Sequence, residues 1–203
     1  LDENLKPLLE ALPADARSFL GRDFGRSGDL SVDYPLLQEK NLVRRVPFVM
    51  ELRNVPFKQQ EQITWYLMDG LPNLMGAALD ARGNGSYLAE YAMQRYGSSR
   101  VKQVMPTESW YREHMPPVKA ALEDGNLIDL PKDEDTLDDL RAVQTKTRFA
   151  GHNQIATQRR RDRHPTETAH GTGHNADHRG ITTQVNNRRV DIGNRRQAQV
   201  RFL

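Results

Sequence analysis

Phe19-Leu20-Gly21-Arg22-Asp23-Phe24-Gly25-Arg26-Ser27-Gly28-Asp29-Leu30-Ser31-Val32 is the stretch on which the interpretation of the chain turns. It predicts a short strand ending on an aspartate, a glycine-rich tight turn and a second strand leaving that turn, the grammar of a β-hairpin. Gly25 and Gly28 admit positive backbone dihedrals and let a bulky anion approach the main chain. Asp23, at the strand end, would face such an anion only through a cation, because two negative charges repel. Taken alone, an aspartate beside a turn is ordinary turn chemistry. Its significance depends on what the rest of the chain brings to it.

Downstream, residues 30–38 and 42–52 predict two further strands joined by the polar turn Glu39-Lys40-Asn41, with Val46, Phe48 and Val49 as apolar strand residues. The period changes over 54–71. Ile63, Tyr66 and Leu67 recur at helical spacing, Pro56 suits a first turn, and Gly70 with Pro72 ends the run. Leu74-Met75-Gly76-Ala77-Ala78-Leu79-Asp80 is a short apolar run that again ends on an aspartate, followed by Ala81-Arg82-Gly83-Asn84-Gly85 and a helical pattern over 86–96. Residues 101–105 predict a strand, and Pro106-Thr107 opens a helix whose apolar positions include Trp110, Met115, Val118 and Leu122. A short extended segment over 127–130 and an acidic helix over 133–143, with Leu137 and Leu140 apolar, complete the pattern. Ahead of the hairpin, Leu5, Leu8, Leu9 and Leu12 keep helical spacing until Pro13 interrupts it.

The 203 residues suffice for one domain with a sizeable core. With no cysteine, disulfides and Cys-ligated metal sites are excluded, which fits a reducing cytoplasm. No apolar run approaches a membrane-spanning length, and the N-terminus lacks the layout of a signal peptide. The net charge of +2 averages two unlike parts. Residues up to 150 are mildly acidic, whereas 151–203 carry arginine without lysine and few carboxylates. Apolar residues there are isolated and hold no period, so little regular structure is expected. The chain divides into a lead-in helix or linker over 1–17, a folded domain over 18–150 and an Arg/His-rich tail over 151–203.

Three antiparallel strands, then helix, strand, helix, strand and helix, is the element order of an α/β domain with a ribonuclease H-like mixed sheet. In that fold the first strand is central and the fourth lies beside it. The crossover from the third strand obeys the right-handed rule. Asp23 and Asp80 then converge although far apart in sequence.

The blocks from Gly21 to Val32 and from Ala78 to Gly85, together with Trp110-Tyr111-Arg112-Glu113-His114-Met115-Pro116 and Ala120-Ala121-Leu122-Glu123-Asp124-Gly125, resemble the nuclease domain of the large terminase subunit of Mu-like phages and prophages. The resemblance covers about residues 18–145. It implies a DNA-packaging motor's endonuclease that cuts concatemeric, double-stranded viral DNA with two Mg²⁺ or Mn²⁺ ions held by three acidic side chains. Asp23 and Asp80 match the first two. The family also implies an ATPase domain, a small terminase subunit and a portal as partners, a bacterial host cytoplasm, and no membrane. No Gly-x-x-x-x-Gly-Lys-Ser/Thr loop is present in the chain, so an ATPase half lies elsewhere or is missing.

Two cations held by carboxylates can activate an in-line water and stabilise the leaving oxygen of a phosphodiester. Asp23 would bridge the ions and Asp80 would hold one. Hard oxygen ligands favour Mg²⁺ or Mn²⁺ over zinc. Arg26 and Arg82, in the two glycine turns, would steer DNA by neutralising phosphates, or stand as solvated surface arginines. Asp29 fits a cap of the hairpin turn better than a supporting role at the metals.

The third carboxylate departs from the family pattern. The resemblance implies His-Gly-Asp and an apolar helix near residue 170, but His170-Gly171 is followed by Thr172-Gly173-His174-Asn175-Ala176-Asp177. Asp177 and Asp162 are the nearest substitutes. A slip of reading frame near residues 148–151 accounts for the change, and finding no frame in the locus that encodes the missing helix would refute it. His170, His174 and His178 share a four-residue spacing, but Gly171, Gly173 and Gly180 oppose the helix that would align them for a metal. The alternatives to a nuclease are a defective prophage remnant that only binds DNA through phosphate charge, and an actin-like-fold phosphotransferase, for whose two lobes the chain is short.

Overall fold

The computed structural model describes residues 3–25, 30–147, 153–157, 187–191 and 197–202. Pro7 sits in the first turn of α1 (Lys6–Glu10), where its missing N–H costs nothing. β1 (Arg17–Asp23) and β2 (Leu30–Gln38) alternate along their length: Ser18, Leu20 and Arg22 on β1 and Ser31, Asp33, Pro35 and Leu37 on β2 are buried, and the residues between them are more open. The strand predicted over 42–52 is instead two, β3 (Arg44–Arg45) and β4 (Phe48–Arg53). Pro47 lies at the break, where its lack of an N–H removes a ladder bond.

Pro56 precedes α2 (Phe57–Gly70), and β5 (Leu74–Asp80), α3 (Gly85–Tyr96) and β6 (Val101–Val104) follow in the predicted order. α4 (Glu108–Glu123) starts where the Thr107 hydroxyl accepts from the Trp110 amide at 3.3 Å. After β7 (Leu127–Ile128), the Asp133 carboxylate caps α5 (Glu134–Ala142) by accepting from the Thr136 amide at 2.8 Å. β8 (Val143–Thr147) pairs with β9 (Asn153–Thr157) in a separate two-stranded sheet.

The main sheet has the order β10-β11-β4-β2-β1-β5-β6, with β10 (Asn187–Asp191) and β11 (Gln197–Phe202) drawn from the tail. This differs from the expectation of little regular structure after 151. β4 has a ladder side left open by β2, and pairing along it uses backbone groups, which residue composition does not reveal. β1 runs antiparallel to β2 and parallel to β5, so the first strand is central and the strand bearing Asp80 is its neighbour.

Leu20, Phe48, Met50 and Leu52 of the sheet pack with Leu67 of α2, Leu79 of β5 and Leu88 of α3 in one core that also takes in Leu9 of α1. Each such side chain contributes about 1.5–3 kcal/mol by leaving water. On the opposite face, Val32, Tyr34 and Glu51 line an open cavity with Val118, Leu127 and Leu140. This second face is the more open one, since neither α4 nor α5 buries a residue. Among the described residues, no helix is long and apolar enough to cross a membrane.

Candidate active site

The register of β1 against β5 pairs Gly21 with Ala78 and Arg22 with Leu79. The next residue on each strand is Asp23 and Asp80, so the two carboxyl groups stand side by side and each perturbs the ionisation of the other. Burial pushes the Asp23 carboxyl above the usual carboxylate range, and the neighbouring Asp80 carboxyl pushes it further. Arg82 and the Phe24 amide pull the other way without reversing the shift. At Asp80 burial also opposes ionisation, but Arg82 outweighs it and holds the carboxyl below the usual range. Within the pair, Asp23 holds its proton more tightly than an ordinary carboxyl and Asp80 less tightly.

Arg82 grips Asp80 with its side chain, Nε donating at 3.1 Å to Oδ1 and Nη2 at 3.0 Å to Oδ2. Its backbone N–H donates to Oδ1 at 3.0 Å. Arg82 thus serves as the counter-cation of the pair, with about half of its side chain exposed to solvent. The following turn is tight: a Cβ at Gly85 would overlap the Asp80 carbonyl oxygen and lie 3.1 Å from Cβ of Phe24. Only glycine lets the first turn of α3 settle onto the two acidic strand ends.

Beneath the rim lies a buried polar group that the sequence reasoning missed. The Arg22 guanidinium donates to Asp33 through Nη1 and to Gln60 Oε1 through Nη2 at 2.6 Å, and Gln60 Nε2 donates to the Val55 carbonyl at 2.8 Å. Arg22 Nε and Asp33 Oδ1 are buried without a partner. Arg22 and Asp33 are cross-strand partners, so this pair locks β1 to β2 one residue before Asp23. No sign of it shows in the sequence, because the face carrying Arg22 and Asp33 also carries Ser18 and Ser31, while Phe19, Leu30, Val32, Tyr34 and Leu36 alternate onto the other.

Of the sequence-predicted site residues, Asp23, Asp80 and Arg82 are brought together. Arg26, Asp29, Asp162, Asp177 and the three tail histidines lie outside the described residues. Among the described residues, no group of three or more His, Cys, Asp or Glu side chains is placed to hold a metal ion. What is present is a pair of hard oxygen donors whose mutual repulsion a divalent cation would relieve. That donor chemistry fits Mg²⁺ or Mn²⁺ at Asp23 and Asp80.

No protein-family model matches the chain. The Mu-like prophage FluMu protein gp28 of Haemophilus influenzae is 46% identical over 140 residues, 69% of this chain and 27% of that protein. The probable terminase, large subunit gp28, of Escherichia phage Mu is 44% identical over 139 residues, 68% of this chain and 25% of that protein. The chain spans about a quarter of the length of these curated relatives. In three dimensions it is similar to the large terminase nuclease of thermophilic phage G20c, whose crystal structure has bound magnesium. The TM-score is 0.56 at 19% identity, covering 72% of this chain and 74% of that one.

Proposed function

Because this chain is a homologue of the gp28 large terminase subunits of Mu-like phages and prophages and shares the fold of a large terminase nuclease, we propose that residues 18–150 form a metal-dependent DNA endonuclease domain that cuts concatemeric viral DNA during packaging. The observation that carries this reading is the meeting of Asp23 and Asp80 at the ends of neighbouring parallel strands. Divalent cations held there would activate a water for in-line attack and stabilise the leaving oxygen.

The chain's own residues do the rest. Asp23 and Asp80 would hold the cations through their carboxylate oxygens, with Asp177 as the candidate for a third ligand. The buried Arg22–Asp33 pair fixes the height of Asp23 by pinning its strand. Arg82 neutralises Asp80, and its guanidinium would meet a DNA phosphate when a cation is held at Asp80, as Arg26 would from the other turn. The partners this reading implies are double-stranded DNA, a terminase ATPase domain, a small terminase subunit and a portal, in the cytoplasm of a bacterial host.

Supercoiled-plasmid nicking in Mn²⁺, run beside Asp23→Asn and Asp80→Asn, tests the proposal. Cleavage that is metal-dependent, indifferent to sequence and lost in both variants is the expected result. Nicking that persists in both variants would remove the site. DNA binding without nicking in the parent chain would favour a domain that has kept the fold and lost the cut.

A further inference from the structure

α4 starts at the rim that carries the acidic pair. Val104, the last residue of β6, pairs with Asp80 across the parallel ladder, and its carbonyl accepts from the Ala81 amide at 2.8 Å. Met105 and Pro106 then lead to Thr107, and the Tyr111 amide closes the first turn of α4 onto the Thr107 carbonyl at 3.0 Å. The Tyr111 ring is half-buried and held edge-on against Trp110 with centroids 5.3 Å apart, and Trp110 in turn stacks on His114 at 4.6 Å. Asp80 foremost, and after it the Tyr111 phenol and Asp23, hold the Arg82 guanidinium above its ordinary pKa against the effect of burial, so the phenol stands near that guanidinium. Among the described residues the Tyr111 hydroxyl makes no hydrogen bond.

We propose that the Tyr111 hydroxyl and Arg82 Nη1 together grip one backbone phosphate of duplex DNA beside the acidic pair; the inference rests on the nuclease reading and names the residues that hold its substrate. Arg82 is paired on one side only. Nε and Nη2 take the two Asp80 oxygens side-on, and in that geometry both Nη1 hydrogens point away from the carboxylate. Among the described residues Nη1 makes no hydrogen bond, and about half of the side chain is open to solvent. A phosphate met at Nη1 therefore does not wait on a cation at Asp80. The second donor suits its place because it is neutral: another lysine or arginine here would be captured by the two acids, whereas a phenol O–H is left to a phosphate oxygen. Phosphates line the outside of a duplex, so this contact needs no opening of the strands.

The test is fluorescence anisotropy with a 5′-labelled blunt duplex, titrated over a range of salt without divalent metal. Tyr111→Phe keeps the ring and its packing on Trp110. It should weaken binding about three- to tenfold and leave the salt dependence unchanged, because the donor it removes carries no charge. Arg82→Gln should weaken binding and flatten the salt dependence by about one phosphate contact. The double variant should lose less than the product of the two separate losses, as expected of groups that hold the same phosphate. Tyr111→Phe binding within about twofold of the parent, losses that multiply, or a parent chain without duplex binding would each overturn the proposal. So would a Tyr111→Phe loss that comes with a lowered thermal midpoint and a flatter salt dependence, the mark of a merely structural residue. Plasmid nicking is a separate measurement: coupled losses in a chain that binds duplex without nicking it would keep the phosphate grip and remove the cut.

Discussion

Asp23 and Asp80 follow directly on residues paired across two parallel strands, and the arginine two residues past Asp80 holds the charge that this closeness creates. Two carboxyl groups drawn together at the rim of a sheet have a cost in the metal-free protein, and its sign can be worked out. The folded Asp23 binds its proton more tightly than the unfolded chain does. Its contribution to stability is therefore fully present below the ordinary carboxylate pKa and is lost as pH rises through the raised value.

Asp23→Asn should accordingly raise the thermal midpoint of the metal-free protein at neutral pH, where the parent has lost that contribution. The rise should be no more than a few degrees, because the rim is partly solvated and screened. The same substitution should abolish the upward shift in midpoint that millimolar Mn²⁺ gives the parent. Scanning fluorimetry at pH 4 and pH 7.5 checks both, and a variant less stable than the parent at pH 7.5 would contradict the assignment.

Arg82→Gln removes the internal counter-cation. In the metal-free protein the Asp80 carboxyl should move up toward the ordinary range, since the group that depresses it is gone. Mn²⁺, no longer competing with the guanidinium, should bind more tightly by calorimetry. Affinity for duplex DNA should fall, with a shallower salt dependence by about one phosphate contact. Weaker Mn²⁺ binding in this variant would show that Arg82 is part of the metal-bound arrangement instead.

Removing one member of the buried pair should be far more damaging than removing both. Asp33→Ala leaves the Arg22 cation in the core and is expected to cost about 3–5 kcal/mol. Arg22→Met combined with Asp33→Leu should recover most of that loss. Urea unfolding of Arg22→Met, Asp33→Leu and the double variant measures the coupling, and additive losses would sink the account.

Gly85→Ala is the sharpest probe of the turn after β5. The added methyl group overlaps the Asp80 carbonyl, so either α3 or the strand end must move. A loss of about 1–3 kcal/mol is expected from overpacking of this kind. Asp80 should be displaced with the turn, so metal-induced stabilisation should weaken along with the fold.

The legible parts of the sequence were those where side chains and backbone agree. The alternation through 17–23 and 30–38, the glycines between them and the apolar run ending at Asp80 each specify local structure, and together they determine that the two acids meet. The single strand expected over 42–52 failed at Pro47, where one missing N–H outweighs the apolar pattern on either side. Arg22 and Asp33 escaped notice because a charged side chain on a strand is ordinarily assigned to the surface, and only the cross-strand register shows that both face inward. β10 and β11 escaped for a different reason: edge pairing is done by the main chain and leaves little trace in a polar sequence.

β1 is hydrogen-bonded on both sides, to β2 and to β5, and lies over the main core. Its amides should therefore exchange with deuterated solvent only when the whole domain opens. An acidic pair mounted on the last segment to let go has no loop to loosen it early. On heating, the capacity to capture cations should vanish together with the global transition and not ahead of it.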